Sequence, residues 1–164
     1  MKTIKVQKLT HESFAPYGSF APMVNPAEHL TERQFGFFPD SVALNIGMPN
    51  SIVTFSTCRM KACEHIIKSI ECHTYTGEGI MPLDGDCILH FALPNKEFEK
   101  AVELIECFYV PKGTMISINP GVWHFAPFAA DTESISTLIV LPTRTYANDC
   151  IVKHIPEEKW IRFE

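Results

Sequence analysis

The chain breaks into short β-branched and aromatic runs separated by Gly/Pro turn signals. The runs lie at 51–57 (SIVTFST), 64–73 (EHIIKSIECH), 86–92 (DCILHFA), 102–110 (VELIECFYV), 114–118 (TMISI), 123–128 (WHFAPF) and 135–141 (ISTLIVL). Each has strand length, and residues of this kind suit a pleated, half-buried surface. Turn signals separate most of them: LDGD at 83–86, LPNKE at 93–97, PKG at 111–113 and NPG at 119–121. Many short strands joined in this way predict an all-β sandwich or barrel. Helices are expected only as a short turn near 10–15, over 26–34 (PAEHLTERQ) and at 156–160. No internal repeat, low-complexity tract or linker divides the chain. Residues 1–45 are less regular and read as flanking strands or an arm, whose Phe35, Phe37 and Phe38 favour packing on its own domain.

Composition narrows the picture. At 164 residues, 46% hydrophobic and 20% charged, the chain predicts one domain with a sizeable core, 1–164, whose barrel spans 46–145. The net charge of −5 and the lack of a Lys/Arg cluster argue against nucleic acid or an anionic membrane surface as partner. A small anionic substrate stays compatible, since one local cation overrides a global charge. No apolar run approaches the ~20 residues of a membrane span. The start, MKTIKVQKLTHESF, lacks the apolar centre of a secretory signal, so a cytoplasmic protein is expected. The six scattered cysteines contain no C-x-x-C pair and read as reduced, buried thiols.

Strand alternation then groups the candidate chemistry. Alternate side chains share a face, so Glu71 and His73 point one way and Cys72 the other. Glu78, five residues past His73 and beyond the TYTG turn, is expected to face back toward the same mouth. In PKGTMISINPGVWHFAPF (111–128), His124 shares its face with Val122, Ala126 and Phe128, and Trp123 points into the core. Taken alone, a histidine on so apolar a face is more often a core residue than a ligand.

Taken together, the two segments resemble a known pattern. His73, Glu78 and Gly85, followed by Pro120, Gly121 and His124, resemble the paired motifs of the cupin superfamily. That resemblance implies a double-stranded β-helix, a jelly-roll barrel with a few short helices, whose interior collects polar side chains from both motifs. Glu71 stands where the first motif usually carries a histidine. The likeness sharpens to the ureidoglycolate lyase family through ECHTYTGEGIMPL (71–83), GVWHFAPF (121–128), FAPYGSF (14–20) and NDCIVKHIPE (148–157). Glu78 stands where that family usually has Gln, and Thr74 where Pro is common.

The resemblance implies a carbon–nitrogen lyase of purine catabolism, splitting ureidoglycolate into glyoxylate and urea, and a homodimer. Such chemistry needs a base for the carbinol hydroxyl, an acid for the departing nitrogen and a cation for the carboxylate. His73 and His124 are the natural bases, Glu71 and Glu78 can serve as acid or base, and Arg59 is the candidate carboxylate clamp, with Lys68 and Lys112 as alternatives. Glu71, His73, Glu78 and His124 together form a two-His, two-carboxylate set suited to Mn²⁺, Fe²⁺, Ni²⁺ or Zn²⁺. A divalent metal and no organic cofactor is therefore expected. Two other functions share the same barrel: a metal-dependent isomerase, epimerase or hydrolase for a sugar or hydroxy acid, and a non-catalytic small-molecule sensor. His65 and His90 are expected to be structural, Tyr75 to be a rim residue, and Asp84 and Asp86 to form turns.

Overall fold

A computed structural model describes residues 1–24, 36–47 and 51–164. The elements run β1 (Lys2–Ile4), β2 (Val6–Lys8), α1 (His11–Phe14), β3 (Gly18–Pro22), β4 (Val53–Lys61), β5 (Ile66–Ile67), β6 (Ser69–Cys72), β7 (Glu78–Pro82) and β8 (Cys87–Phe91). They continue with α2 (Phe98–Glu103), β9 (Glu106–Val110), β10 (Thr114–Ile118), β11 (Phe128–Ala129), β12 (Ser134–Pro142), α3 (Thr145–Asn148), β13 (Ile151–His154), a 3₁₀ turn at Glu157–Lys159 and β14 (Ile161–Phe163). The helix expected over 26–34 lies outside the described residues. No helix among the described residues is long and apolar enough to cross a membrane.

Two sheets face each other. One has the order β3–β10–β7–β12–β4, and the other the order β11–β8–β9–β2. Isolated bridges Glu71↔His124 and Ala92↔Trp123 join β6 to the second sheet through residues 123 and 124. From β6 onward the chain crosses repeatedly between the sheets, with β7, β10 and β12 in one and β8, β9 and β11 in the other. This is the crossing pattern of a jelly roll, in which the strands close on one another and few edges stay open. The expected all-β jelly-roll barrel with a few short helices is therefore the fold of the chain.

Two cores flank the second sheet. Between the sheets, Ile80, Ile116, Ile118 and Ile135 meet Leu89, Phe91 and Phe108, with Phe14 and Tyr17 closing one end. On the outer side, Ile88, Ala92 and Cys107 pack under Val102, Ile105, Ile161 and Phe163. Burial on both faces explains why β8 is buried at every position and does not alternate, its run being apolar apart from His90.

Several sequence expectations need adjustment. Residues 102–110 are not one strand: their first part ends α2, because Phe98, Ala101, Val102 and Ile105 follow the i, i+3, i+4, i+7 spacing of a helix face. The 64–73 run divides at Lys68, β5 pairing with β14 and β6 with β13. Strand β7 carries no β-branched run to announce it. Its Gly79 sits opposite Val140, where a Cβ would come within 3.0 Å of the Val140 Cβ. Of the three arm phenylalanines, Phe37 and Phe38 are 80% and 42% exposed and do not pack into the barrel as expected, and Phe35 lies outside the described residues. All six thiols are free as expected, although Cys63 is exposed and only Cys72, Cys87 and Cys107 are buried.

Candidate metal centre

Backbone pairing brings the two motifs together. Glu71 N–H donates to the His124 carbonyl at 2.6 Å, and His124 N–H donates to the Glu71 carbonyl at 2.8 Å. Directly opposed strand residues project side chains to the same side, so Glu71 and His124 enter one space. A third bond, Gly121 N–H to the His73 carbonyl at 2.6 Å, ties the Asn-Pro-Gly turn to the end of β6. Gly121 has φ +81, a left-handed conformation that favours glycine. Glu78 opens β7 opposite Ile118 and reaches the same space from the other sheet. One ligand atom from each of Glu71, His73, Glu78 and His124 lies within 4.8 Å of the others. The face-sharing expected of Glu71 and His73, with Cys72 directed to the outer core, is what the barrel contains.

The hydrogen bonds assign protons. His73 Nδ1 lies 2.5 Å from the Asp149 carbonyl, and His124 Nδ1 lies 2.9 Å from the Val122 carbonyl. A carbonyl only accepts, so each Nδ1 carries the hydrogen. Both Nε2 atoms face the same Glu78 oxygen, Oε2, at 3.0 Å from His73 and 2.8 Å from His124. With neutral rings, two nitrogen lone pairs and a carboxylate oxygen would confront one another. All three residues are at most 5% exposed, so water does not relieve the repulsion. A ring proton in the metal-free protein, or a metal ion, relieves that repulsion. The titration of the metal-free protein agrees. Burial pushes Glu78 up, but the hydrogen bonds from His124 and His73 outweigh it and hold the carboxyl down to about 2. Burial pulls His73 down, yet the Glu78 hydrogen bond and charge, with the Asp149 carbonyl, leave it raised.

The residues fit a divalent ion on chemical grounds. Two imidazole Nε2 atoms and two carboxylates are a common donor set for first-row divalent metals. Each ring is oriented by an Nδ1–H bond to a carbonyl, the arrangement that metal-ligating histidines usually show.

Around the cluster is a cavity of about 240 Å³. Ser56, Cys58 and Cys150 complete its polar lining, Ile80, Ile139 and Leu141 form an apolar wall, and Tyr146 stands at the mouth. This space is below the size of pockets that take drug-sized ligands. A larger apolar cavity of about 670 Å³, between Val6–Leu9 and Phe20, shares no lining residue with the cluster. The titratable chemistry, not the volume, marks the smaller one as the functional candidate.

Arg59 is corrected as the carboxylate clamp. Ser56 and Cys58 of β4 face the cavity, so alternation turns Arg59 outward, where its guanidinium is exposed and 3.3 Å from Ser134 Oγ. Lys68 pairs with Glu64 at 4.0 Å and lies over Trp160, and Lys112 is exposed. Among the described residues no Arg or Lys lines the cavity. Tyr75 is 70% exposed and lines a separate cleft with Thr76 and Asp149. His65 stacks on Phe163, and His90 is fully buried with burial driving its pKa down to about 3. Asp84 and Asp86 hold turns, accepting from Ser136 N–H and Lys112 N–H at 2.7 Å each. Sequence reasoning missed Cys58, Asp149 and Cys150, since an isolated thiol or turn aspartate carries no motif.

Comparison with known proteins gives three findings. Residues 57–160 match the model of a family described as "Domain of unknown function (DUF4867)". No curated protein matches the chain. Among solved structures the chain is similar to RmlC from Streptococcus suis, solved in complex with dTDP-D-xylose, at 11% identity and a TM-score of 0.41. That match covers 55% of this chain and 43% of the other, so it spans less than half of the solved protein.

Proposed function

The chain belongs to the DUF4867 family, and from the geometry of its buried centre we propose that it is a divalent-metal enzyme performing acid–base chemistry on a small hydroxy acid or hydroxy-carbonyl compound. The observation that carries this reading is the convergence of His73 Nε2 and His124 Nε2 on one oxygen of a desolvated Glu78. When bound, the ion supplies Lewis-acid polarisation of a substrate oxygen and positive charge for a substrate carboxylate.

The chain's own residues divide the remaining work. His73 and His124 have both ring nitrogens engaged, so neither is free to act as the base. Glu71 is only half-buried, opens on the cavity and has Cys150 as its side-chain partner, at 3.5 Å. It is the carboxylate left to carry a proton. Ile80, Ile139 and Leu141 keep the opposite wall dry, which strengthens each polar contact on the reactive side.

The substrate named by the resemblance of 71–83 and 121–128 is ureidoglycolate. Glu71 takes the carbinol hydroxyl proton while the C–N bond breaks, and the same proton goes to the departing urea nitrogen. Glyoxylate and urea are the products, with no net gain or loss of protons. A second reading is favoured by one observation: among the described residues no Arg or Lys lines the cavity. A neutral polyol needs no such cation, and isomerisation or epimerisation of a free sugar fits the same proton-carrying Glu71.

The test is metal analysis of the purified protein, followed by turnover of ureidoglycolate and of free aldoses with and without chelator. Stoichiometric metal and chelator-sensitive turnover are expected. Glyoxylate release identifies the lyase and aldose–ketose interconversion the isomerase. A protein that binds no divalent metal under any condition sinks the reading.

A further inference from the structure

Glu71 and His73, at the end of β6, share a support that lies far away in sequence. Strand β13 pairs antiparallel with β6, Ile151 opposite Cys72 and Val152 opposite Glu71. Continuing that register places Cys150 and Asp149 beside His73 and Thr74. Asp149 accepts four hydrogen bonds there. Its carbonyl takes the His73 Nδ1–H at 2.5 Å, Oδ1 takes the Thr74 N–H at 2.8 Å and the Thr74 hydroxyl at 2.7 Å, and Oδ2 takes the Tyr75 N–H at 2.8 Å. The next residue, Cys150, donates its thiol to Glu71 Oε2 at 3.5 Å.

Asp149 is fixed from its own side as well. It terminates α3, its N–H bonding the Thr145 carbonyl at 2.8 Å, and the Thr145 hydroxyl anchors the helix start on the Pro142 carbonyl at 2.8 Å. Strand β13 itself contributes little apolar burial, all four of its residues being exposed. What this segment adds to the barrel is orientation, not core.

We propose that Asp149 is the positioning residue of the metal centre, its carbonyl setting the His73 ring and its carboxylate locking the 74–75 turn that carries it, with Cys150 holding Glu71 in the same way. The proposal rests on the metal-centre reading. A ring whose Nδ1–H is held by a fixed acceptor presents Nε2 to the ion in one tautomer and one orientation. Partners of this kind are worth about 10–100-fold in metal affinity. The alternative is that Asp149 merely caps a turn, as Asp86 does at Lys112 and Tyr109. Asp86 therefore supplies the control.

Zn²⁺ affinity is measured by chelator competition for the wild type, Asp149→Ala, Asp149→Asn, Cys150→Ser and Asp86→Ala, with thermal melts of each metal-free protein. In parallel, the ring N–H signals of metal-free protein are recorded by ¹H–¹⁵N NMR. Asp149→Ala keeps the main-chain carbonyl that accepts from His73 Nδ1 but frees the 74–75 turn, so it is expected to weaken Zn²⁺ about 10–100-fold and to shift and broaden the downfield His73 Nδ1–H signal. Asp149→Asn, which keeps one acceptor oxygen for Thr74, falls between it and the wild type. Cys150→Ser, which keeps a donor for Glu71, binds as the wild type does. Asp86→Ala lowers the melting temperature but changes neither readout. Wild-type Zn²⁺ affinity in Asp149→Ala, or equal weakening by Asp86→Ala, overturns the proposal. If the wild type binds no Zn²⁺ the metal reading fails separately, and the ring signal still decides: an unchanged position and line width in Asp149→Ala overturns the positioning role. Should Asp149→Ala not fold, Asp149→Asn carries both measurements.

Discussion

Replacing Glu78 with Gln separates metal binding from folding. The side chain keeps its shape, but the buried oxygen that faces His73 Nε2 at 3.0 Å and His124 Nε2 at 2.8 Å loses its charge. In the metal-free protein two effects oppose each other. Hydrogen bonds to a charged group are worth about 1.5–3 kcal/mol each and are weakened. Burying a carboxylate costs several kcal/mol, and that cost disappears. The free energy of unfolding in chelator should therefore move by less than about 2 kcal/mol. The metal-bound protein has no such compensation. Removing one partner of a buried charge pair costs about 3–5 kcal/mol, which is a loss of about 10²–10⁴-fold in affinity. Chelator competition with Zn²⁺ and Mn²⁺ reads the second quantity, and urea denaturation in chelator reads the first. A Glu78→Gln protein that binds both metals within about threefold of the wild type refutes the reasoning, because a difference so small is under 1 kcal/mol.

Three further outcomes follow from the fold and its turns. Phe91→Ala, at a ring fully buried against Phe14 (5.1 Å) and Tyr17 (5.7 Å), should cost about 3–5 kcal/mol in urea denaturation, and a loss under 1 kcal/mol contradicts the core assignment. Gly121→Ala places a side chain at φ +81 and a Cβ 3.3 Å from Pro94 Cγ. It should cost about 1–3 kcal/mol and weaken metal binding, because the Gly121 N–H holds the His73 carbonyl. Asp86 is held below the usual carboxylate range, first by the Tyr109 hydroxyl and then by the Lys112 N–H. A depressed folded pKa stabilises the fold above the unfolded value near ~3.9, and the contribution is lost as pH falls through the folded pKa. Asp86→Asn should flatten the acid-side fall in stability seen by denaturation from about pH 5 downward, and an unchanged slope counts against the turn.

The legibility of the site tracked strand parity. In SIECH the polar positions alternate cleanly, so Glu71 and His73 could be placed on one face and Cys72 on the other. In VTFSTCRMK neither parity is clearly apolar, so the sequence does not give the phase of β4 or show that Arg59 points away from the cavity. The apolar run 102–110 hid a helix end because the diagnostic spacing begins upstream at Phe98. His73 and His124 looked like free bases for a different reason. Their Nδ1 atoms are consumed by the carbonyls of Asp149 and Val122, and no residue type reveals where a carbonyl will point. Asp149 acts through that carbonyl and through the β6–β13 register, both products of tertiary pairing.

Anomalous diffraction from crystals equilibrated with Zn²⁺ tests the metal centre most directly. An ion is expected about 2.0–2.2 Å from His73 Nε2, His124 Nε2 and a Glu78 carboxylate oxygen, with Glu71 beside it on the cavity side. Those three ligands would then share the ion that the metal-free protein replaces with a proton. No anomalous peak within the cavity at saturating Zn²⁺, or an ion held only elsewhere on the chain, would contradict the central claim.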